Sequence, residues 1–282
     1  MDLTVFLIVL AAALLHATWN AFVKADGDRL VFMAVLMAAG GVVALAATPF
    51  LPLPAPESWP YIALSVVLHQ GYMAFLLLAY RVGDLSHAYP LARGSAPLII
   101  ALLSVPIIGE RLSHDALVAI ILIGAGIMSL AFTRGAQNLH NPIAVLFALL
   151  TGLFIAGYTM TDGIGARLSG SAHGYTAWMM GLQWIPFLAF VCWRRHGRIV
   201  RPALRIWRPA ALMGLLSLAA YWAVIWAMTV APIALVAGLR ETSIVFAVLI
   251  GVLVLNERLS LARLAGAFTT LAGVVLLRVG RS

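Results

Sequence analysis

The chain predicts an all-helical integral membrane fold: ten spanning helices, arranged as two inverted five-helix repeats around a central cavity. Three observations lead there. First, 63% of the 282 residues are hydrophobic and only 10% are charged, against roughly 25% charged in a soluble domain. Second, the apolar runs approach the roughly 20 residues a helix needs to cross about 30 Å of hydrocarbon. Third, the word Glu-Arg-Leu-Ser occurs twice, at 110–113 and 257–260, each time closing an apolar run.

An ungapped offset of 147 residues superimposes the two words and pairs Arg93 with Arg240, with 11 identities in the 38 positions from Arg93 to Leu130. Apolar segments match easily by chance, but an arginine inside an apolar run and a four-residue polar word do not. Internal repeats in a membrane protein point towards a transporter.

Splitting at charges, prolines and glycines gives spans at 3–23, 30–50, 60–80, 86–108 and 115–133. The second half gives 142–162, 174–193, 209–229, 232–255 and 260–279. The first span has no positive amino-terminal region and runs on through polar His16, Trp19 and Asn20, so it does not read as a signal peptide. Span three is interrupted by His69, Gln70 and Tyr72, and span eight holds Tyr221, Trp222 and Trp226. Span four contains Tyr89 and three prolines, Pro90, Pro97 and Pro106, whereas span nine has only Pro232 near its start. Prolines remove donors and bend a helix, so span four is either a kinked support or a moving part. Backbone groups in hydrocarbon must be satisfied internally, and the alternation of a membrane barrel is absent, which leaves helices.

Five spans per unit is odd, so the second unit enters the membrane upside down relative to the first. The units are residues 1–139 and 140–282, joined by a polar link at Arg134–Asn141 before Pro142, a residue suited to a first helical turn. The net charge of +8 includes Arg194, Arg195, Arg198, Arg201, Arg205 and Arg208, read as one short link between spans. Such a cluster fits a cytoplasmic loop facing anionic lipid and not a nucleic-acid surface. Basic residues concentrate in links after odd-numbered spans, among them Lys24, Arg81, Arg134, Arg258 and Arg263. The positive-inside rule then places both termini outside. The single cysteine, Cys192, excludes an internal disulfide.

Arg93 and Arg240 lie about two turns inside spans four and nine. A charge at mid-span costs roughly 2.5–3.5 kcal/mol and normally faces a wet cavity or a partner; snorkelling to the interface is the alternative. Because the two spans run in opposite senses, the pair forms a two-sided cationic cradle suited to a carboxylate or phosphate. Glu241, whose repeat mate is Gly94, is the candidate coupling site for a proton. Neighbours at i and i+1 diverge on a helix, so Arg240 is not expected to be its partner. His16, Trp19, Asn20, His69, Tyr72, Tyr221 and Trp222 are candidate cavity residues beside the arginines. Asp162, near the predicted end of span six, reads as interfacial. In the two repeated words Glu and Arg are expected to reach the headgroup layer, while Ser113 and Ser260 cap the following helices. Gly124, Gly126, Gly266 and Gly273 read as helix-packing positions.

No metalloprotease His-Glu-x-x-His, paired cysteines, phosphate-binding glycine loop or nucleophile elbow occurs. His16 and His69 alone make a poor zinc site, and no cofactor or metal is expected.

Two five-helix units, each with Glu-x-Leu-Ser after its fourth helix and a small-residue fifth helix, resemble the EamA family of the drug/metabolite transporter superfamily. The residues carrying the resemblance are Glu110, Leu112, Ser113, Glu257, Leu259 and Ser260, and it spans essentially the whole chain in two copies. It implies a cavity surrounded by helices one, three, four, six, eight and nine, and substrates that are small metabolites such as amino acids, often exported. It also implies cytoplasmic termini, against the charge count. The expectation is a secondary transporter of a small polar metabolite, driven by a gradient or by exchange, with membrane lipid and a proton as further partners. Its expected place is the cell membrane, the inner membrane of a bacterium. The alternatives are a membrane enzyme or flippase acting on a lipid-linked phosphate, and a non-transporting assembly subunit.

Overall fold

The computed structural model describes residues 1–25, 28–82, 85–132, 141–253 and 260–280. Glu257, Arg258 and Leu259 of the second word, and residues 134–140 of the central link, lie outside them, as does the Lys24 side chain.

Among the described residues there is no strand, and ten helical spans are long and apolar enough to cross a membrane. The helices are α1 (Leu3–Ala25), α2 (Arg29–Ala47), α3 (Trp59–Val82), α4 (Leu85–Leu103), α5 (His114–Ser129) and α6 (Pro142–Leu168). They continue with α7 (Ala172–Arg194), α8 (Val200–Val230), α9 (Ile233–Arg240), α10 (Ser243–Leu253) and α11 (Leu261–Val279). Helices α9 and α10 together form the ninth span.

Local chemistry sets the helix ends. Asn141 accepts from the backbone N–H groups of Ile143 and Ala144, with Pro142 in the first turn where its missing donor costs nothing. Ser113 accepts from Ala116 N–H and Ser260 from Arg263 N–H, so both serines of the repeated word do cap the next helix. Span four ends in a wide π-turn at Ser104–Ile108, which takes in Pro106 and closes on Gly109. Gly109 sits at φ +78°, a left-handed conformation that costs other residues a steric penalty.

The helices pack reciprocally. Helix α3 lies on α6 as α1 lies on α8, and α4 lies on α6 as α1 lies on α9 and α10. Helices α2 and α7 pair with each other, as do α5 and α11. For the most extensive of these contacts, exchanging each span with the one five places on returns a pair that also packs together, as a pseudo-two-fold axis requires. Small residues bring the last pair close. A Cβ on Gly126 would stand 2.8 Å from Gly266 O, and one on Gly266 would stand 2.8 Å from Gly126 O. Span nine is the most enclosed, with 72% of its apolar window buried, so the centre of the bundle lies along it. Large apolar side chains such as Leu102, Phe50 and Phe268 point outward, as lipid contact permits.

Three sequence expectations are corrected. Helix α8 starts at Val200, nine residues before the predicted 209, so the arginines do not share one link. Arg194 ends α7, while Arg201, Arg205 and Arg208 ride on the first turns of α8. The connection is a tight turn through His196 and Gly197, both with positive φ. Helix α6 runs to Leu168, which moves Asp162 from a span end to well inside the bundle, where it is fully buried. Glu110 does not reach outward. It is paired with Arg167 Nη2 at 2.6 Å and accepts from Ile233 N–H at 3.0 Å, capping the start of α9. Arg167 also donates to Met228 O at 2.8 Å and Ala231 O at 2.9 Å. This clasp joins the ends of spans four, six, eight and nine on one face of the bundle.

Candidate functional site: a buried charge cradle in an aromatic cavity

Span nine is interrupted where its charges fall. Helix α9 stops at Arg240, Glu241 and Thr242 form a turn, and α10 begins at Ser243. Through the turn the backbone bonds tighten to three-residue spacing, Glu241 N–H to Gly238 O and Thr242 N–H to Leu239 O, both 3.1 Å. Broken spanning helices are tolerated only where they line a cavity or are buried in protein.

The break lets Glu241 reach both arginines, which corrects the expectation that Arg240 is not its partner. On an uninterrupted helix adjacent side chains diverge; at this C-terminus Arg240 Nη2 comes within 3.4 Å of Glu241 Oε1. Across from it, Arg93 of α4 places Nε 2.8 Å from Glu241 Oε2, an ion pair without hydrogen-bond alignment. Arg93 Nη2 also donates to Ser243 Oγ at 3.2 Å, and its guanidinium lies 5.9 Å from the Tyr89 ring centroid. All three charged side chains are buried, none more than 4% exposed. Neither arginine snorkels outward. Two cations share one carboxylate, and Arg240 Nε is left without a protein partner.

Both guanidiniums line a cavity of about 100 Å³. His16, Trp19, His69, Tyr72 and Tyr221 line it too, so seven of the ten sequence candidates converge here. Its wall includes helices one, three, four, six, eight and nine, and it adds α2 through Met33 and Met37 and α7 through Met180 and Gln183. The aromatic side is continuous. His69 stacks on Tyr158 at 4.0 Å, and Tyr72 and Tyr221 meet Tyr158 edge-on at 5.8 Å and 6.3 Å. His69 Nδ1 is tied to Ser65 O at 2.9 Å, which fixes the ring. His16 and Trp19 form a T-shaped pair at 4.9 Å, and Trp19 Nε1 is buried without a partner.

Asn20 and Trp222 lie off the cavity wall. Asn20 Nδ2 donates back along α1 to His16 O, as a polar side chain in a helix can when it lacks a partner across the bundle. Trp222, on α8, donates Nε1–H to His173 Nδ1 of α7 instead. Glu241 stands behind the arginines as their shared counter-ion, outside the set of lining residues.

Sequence reasoning passed over Tyr158 and Gln183 and read Asp162 as interfacial. Tyr158 is the ring on which His69, Tyr72 and Tyr221 converge. Gln183 lines the cavity with Oε1 unpartnered. Asp162 accepts from Tyr175 OH at 3.0 Å and Tyr221 OH at 2.5 Å just behind the aromatic wall. The one available signal for Asp162 was a charge in an apolar run.

Comparison with known proteins agrees with this architecture. A protein of known crystal structure superimposes with a TM-score of 0.76, over 98% of this chain and 98% of its own, at 20% sequence identity. At that identity the likeness is one of fold. No curated protein matches the chain. Residues 142–279 match the family model described as the EamA-like transporter family. The second half of the chain is thus similar to the EamA-like transporter family, and the ten apolar spans make the whole a multi-pass membrane protein.

Proposed function

We propose that the protein is a secondary transporter that moves a small carboxylate-bearing metabolite, an amino acid or a similar compound, by alternating access, and that it works as an exporter in a bacterial inner membrane. The observation that carries this reading is the unequal cradle: two buried guanidiniums share one carboxylate beside a cavity that both arginines line, and Arg240 Nε is buried with no protein partner. A buried donor without an acceptor is costly to leave unmade, and an anion in the cavity supplies the acceptor. The aromatic wall opposite offers an apolar face for the rest of the molecule.

In this reading residues 1–139 and 140–282 are two copies of one unit, inserted in opposite senses, with the site between them. The reciprocal helix packing supports that division. The driving force is an ion gradient or exchange of substrates. One charge crossing 100 mV supplies about 2.3 kcal/mol, enough for roughly a fifty-fold concentration ratio.

The test is transport in proteoliposomes. A thermal-shift screen of small carboxylates and amino acids against the purified protein selects the compound, and its flux is compared between the natural protein and Arg240→Ala. Loss of a charge-assisted contact predicts a flux lower by about 10- to 100-fold with the folded yield retained. Equal flux would remove the cradle from the mechanism.

A further inference from the structure

Among the described residues, four lysine, arginine, aspartate or glutamate side chains are buried: Arg93, Arg240, Glu241 and Asp162. Glu241 is claimed by both arginines. Asp162 has no cationic partner, and its two oxygens accept from neutral phenols, Tyr175 OH on Oδ1 and Tyr221 OH on Oδ2. The other groups facing it are Ser65 and His69 of α3, while Tyr158 lies one turn back on its own helix. From α9 the neighbouring contact is apolar, Ile233 against Gly163. Arg93 of α4 and Arg240 of α9 stand beyond the aromatic wall, engaged with Glu241.

We propose that Asp162 is a proton-binding site linked to the arginine cradle, so that an anion in the cavity and a proton on Asp162 each favour the other. This rests on the anion reading of the cradle given above. With the cavity empty, the two cations and two carboxylates balance. A monoanion arriving beside Arg240 leaves the interior with one negative charge too many, in a medium that screens charge poorly. One proton on Asp162 restores the balance. Glu241 cannot serve as well, because neutralising it would strand two guanidiniums against each other. The geometry also provides the connection. Tyr221 both lines the cavity and donates to Asp162 Oδ2, and its ring meets that of His69 at 5.9 Å, so cavity water and the carboxylate are one phenol apart. The step is a proton transfer only: a hydronium ion drawn from bulk into the cavity loses one O–H bond and becomes water, one carboxyl O–H bond forms, and nothing is oxidised or reduced. Reciprocity then requires that the factor by which the proton raises anion affinity is the factor by which the anion raises proton affinity.

The experiment uses the full chain in detergent micelles and infrared difference spectroscopy between acid and alkaline pH. The expected result is a carboxylic-acid C=O band that titrates, persists in Glu241→Gln and is missing in Asp162→Asn. Addition of benzoate, a monoanion with an aromatic body, is expected to strengthen the band. Its affinity is expected to rise by up to about tenfold for each unit that pH falls, a dependence that Asp162→Asn flattens. Should Asp162→Asn fail to fold, Tyr221→Phe gives the second reading, since removing the Oδ2 donor must move the pH at which the band titrates. No titrating band, a band that survives Asp162→Asn or vanishes instead in Glu241→Gln, or a pH titration unmoved by Tyr221→Phe would overturn the assignment. Benzoate binding that leaves the band unchanged would overturn the linkage. If the band behaves as expected but benzoate produces no thermal shift, the anion cradle fails and the linkage with it, whereas the proton site stands.

Discussion

Spans four and nine occupy equivalent places under the 147-residue offset, and each delivers an arginine to the centre of the bundle. They do so with different backbones. Span four runs helically past Arg93, carries Pro90 and Pro97 within α4, and departs from regular geometry only at its far end, in the π-turn before Gly109. Span nine breaks immediately after Arg240. The residue following each arginine accounts for the contrast. Gly94 lets α4 press against α5: an added Cβ there would meet Met128 Cγ at 2.5 Å and Gly124 O at 2.7 Å. Glu241, in the same register, needs room to turn back to two guanidiniums, and the two-residue turn supplies it. One unit thus spends its position on close packing and the other on charge, which is how a duplicated scaffold acquires an asymmetric site.

The same contrast assigns the arginines different work. Arg93 is the nearer partner of Glu241, whereas Arg240 makes one long contact and keeps Nε free. Replacing Arg93 with Ala therefore strips the buried carboxylate of its main counter-ion and should lower stability by about 3–5 kcal/mol, read from thermal unfolding in detergent. Arg240→Ala should cost clearly less stability, since Arg93 remains in place, while transport suffers more. Equal destabilisation by the two would erase the division of labour. Gly94→Ala comes next. Overpacking between α4 and α5 should cost about 1–3 kcal/mol, whereas Gly157→Ala, whose Cβ would meet only Leu68 at 3.6 Å, should be almost silent. Ser243→Ala should be milder than Gly94→Ala, at about 0.5–1.5 kcal/mol for the lost acceptor of Arg93. A larger effect would mean that Ser243 holds the turn itself.

Much of this was legible beforehand, for identifiable reasons. Ten spans follow from the lengths of the apolar runs, and Arg93 and Arg240 stand out because charge inside such runs is costly. Ser113 and Ser260 declare themselves as caps through local spacing alone. The break in span nine was not legible. Leu239-Arg240-Glu241-Thr242-Ser243 holds neither proline nor glycine, and the interruption is stabilised by Arg93, which is 148 residues away from Glu241. Long-range pairing also hid the work of Glu110, whose acceptor role at Ile233 N–H crosses 123 residues. Asp162 was misplaced by an error in one boundary: α6 continues six residues beyond it, and depth, more than residue type, separates an interfacial carboxylate from a buried one. Tyr158 gave no signal because an aromatic residue in an apolar helix resembles any core residue until its neighbours are known.

The clasp at Glu110 and Arg167 bears on how one face of the bundle can come apart. Parting spans eight and nine from spans four and six there would strand the N–H of Ile233, the carbonyls of Met228 and Ala231 and the donors of Arg167 in the same instant. Such a seam does not loosen by degrees. It stays shut until water can reach all of its polar groups together, so opening on that side is a single concerted event with its own waiting time.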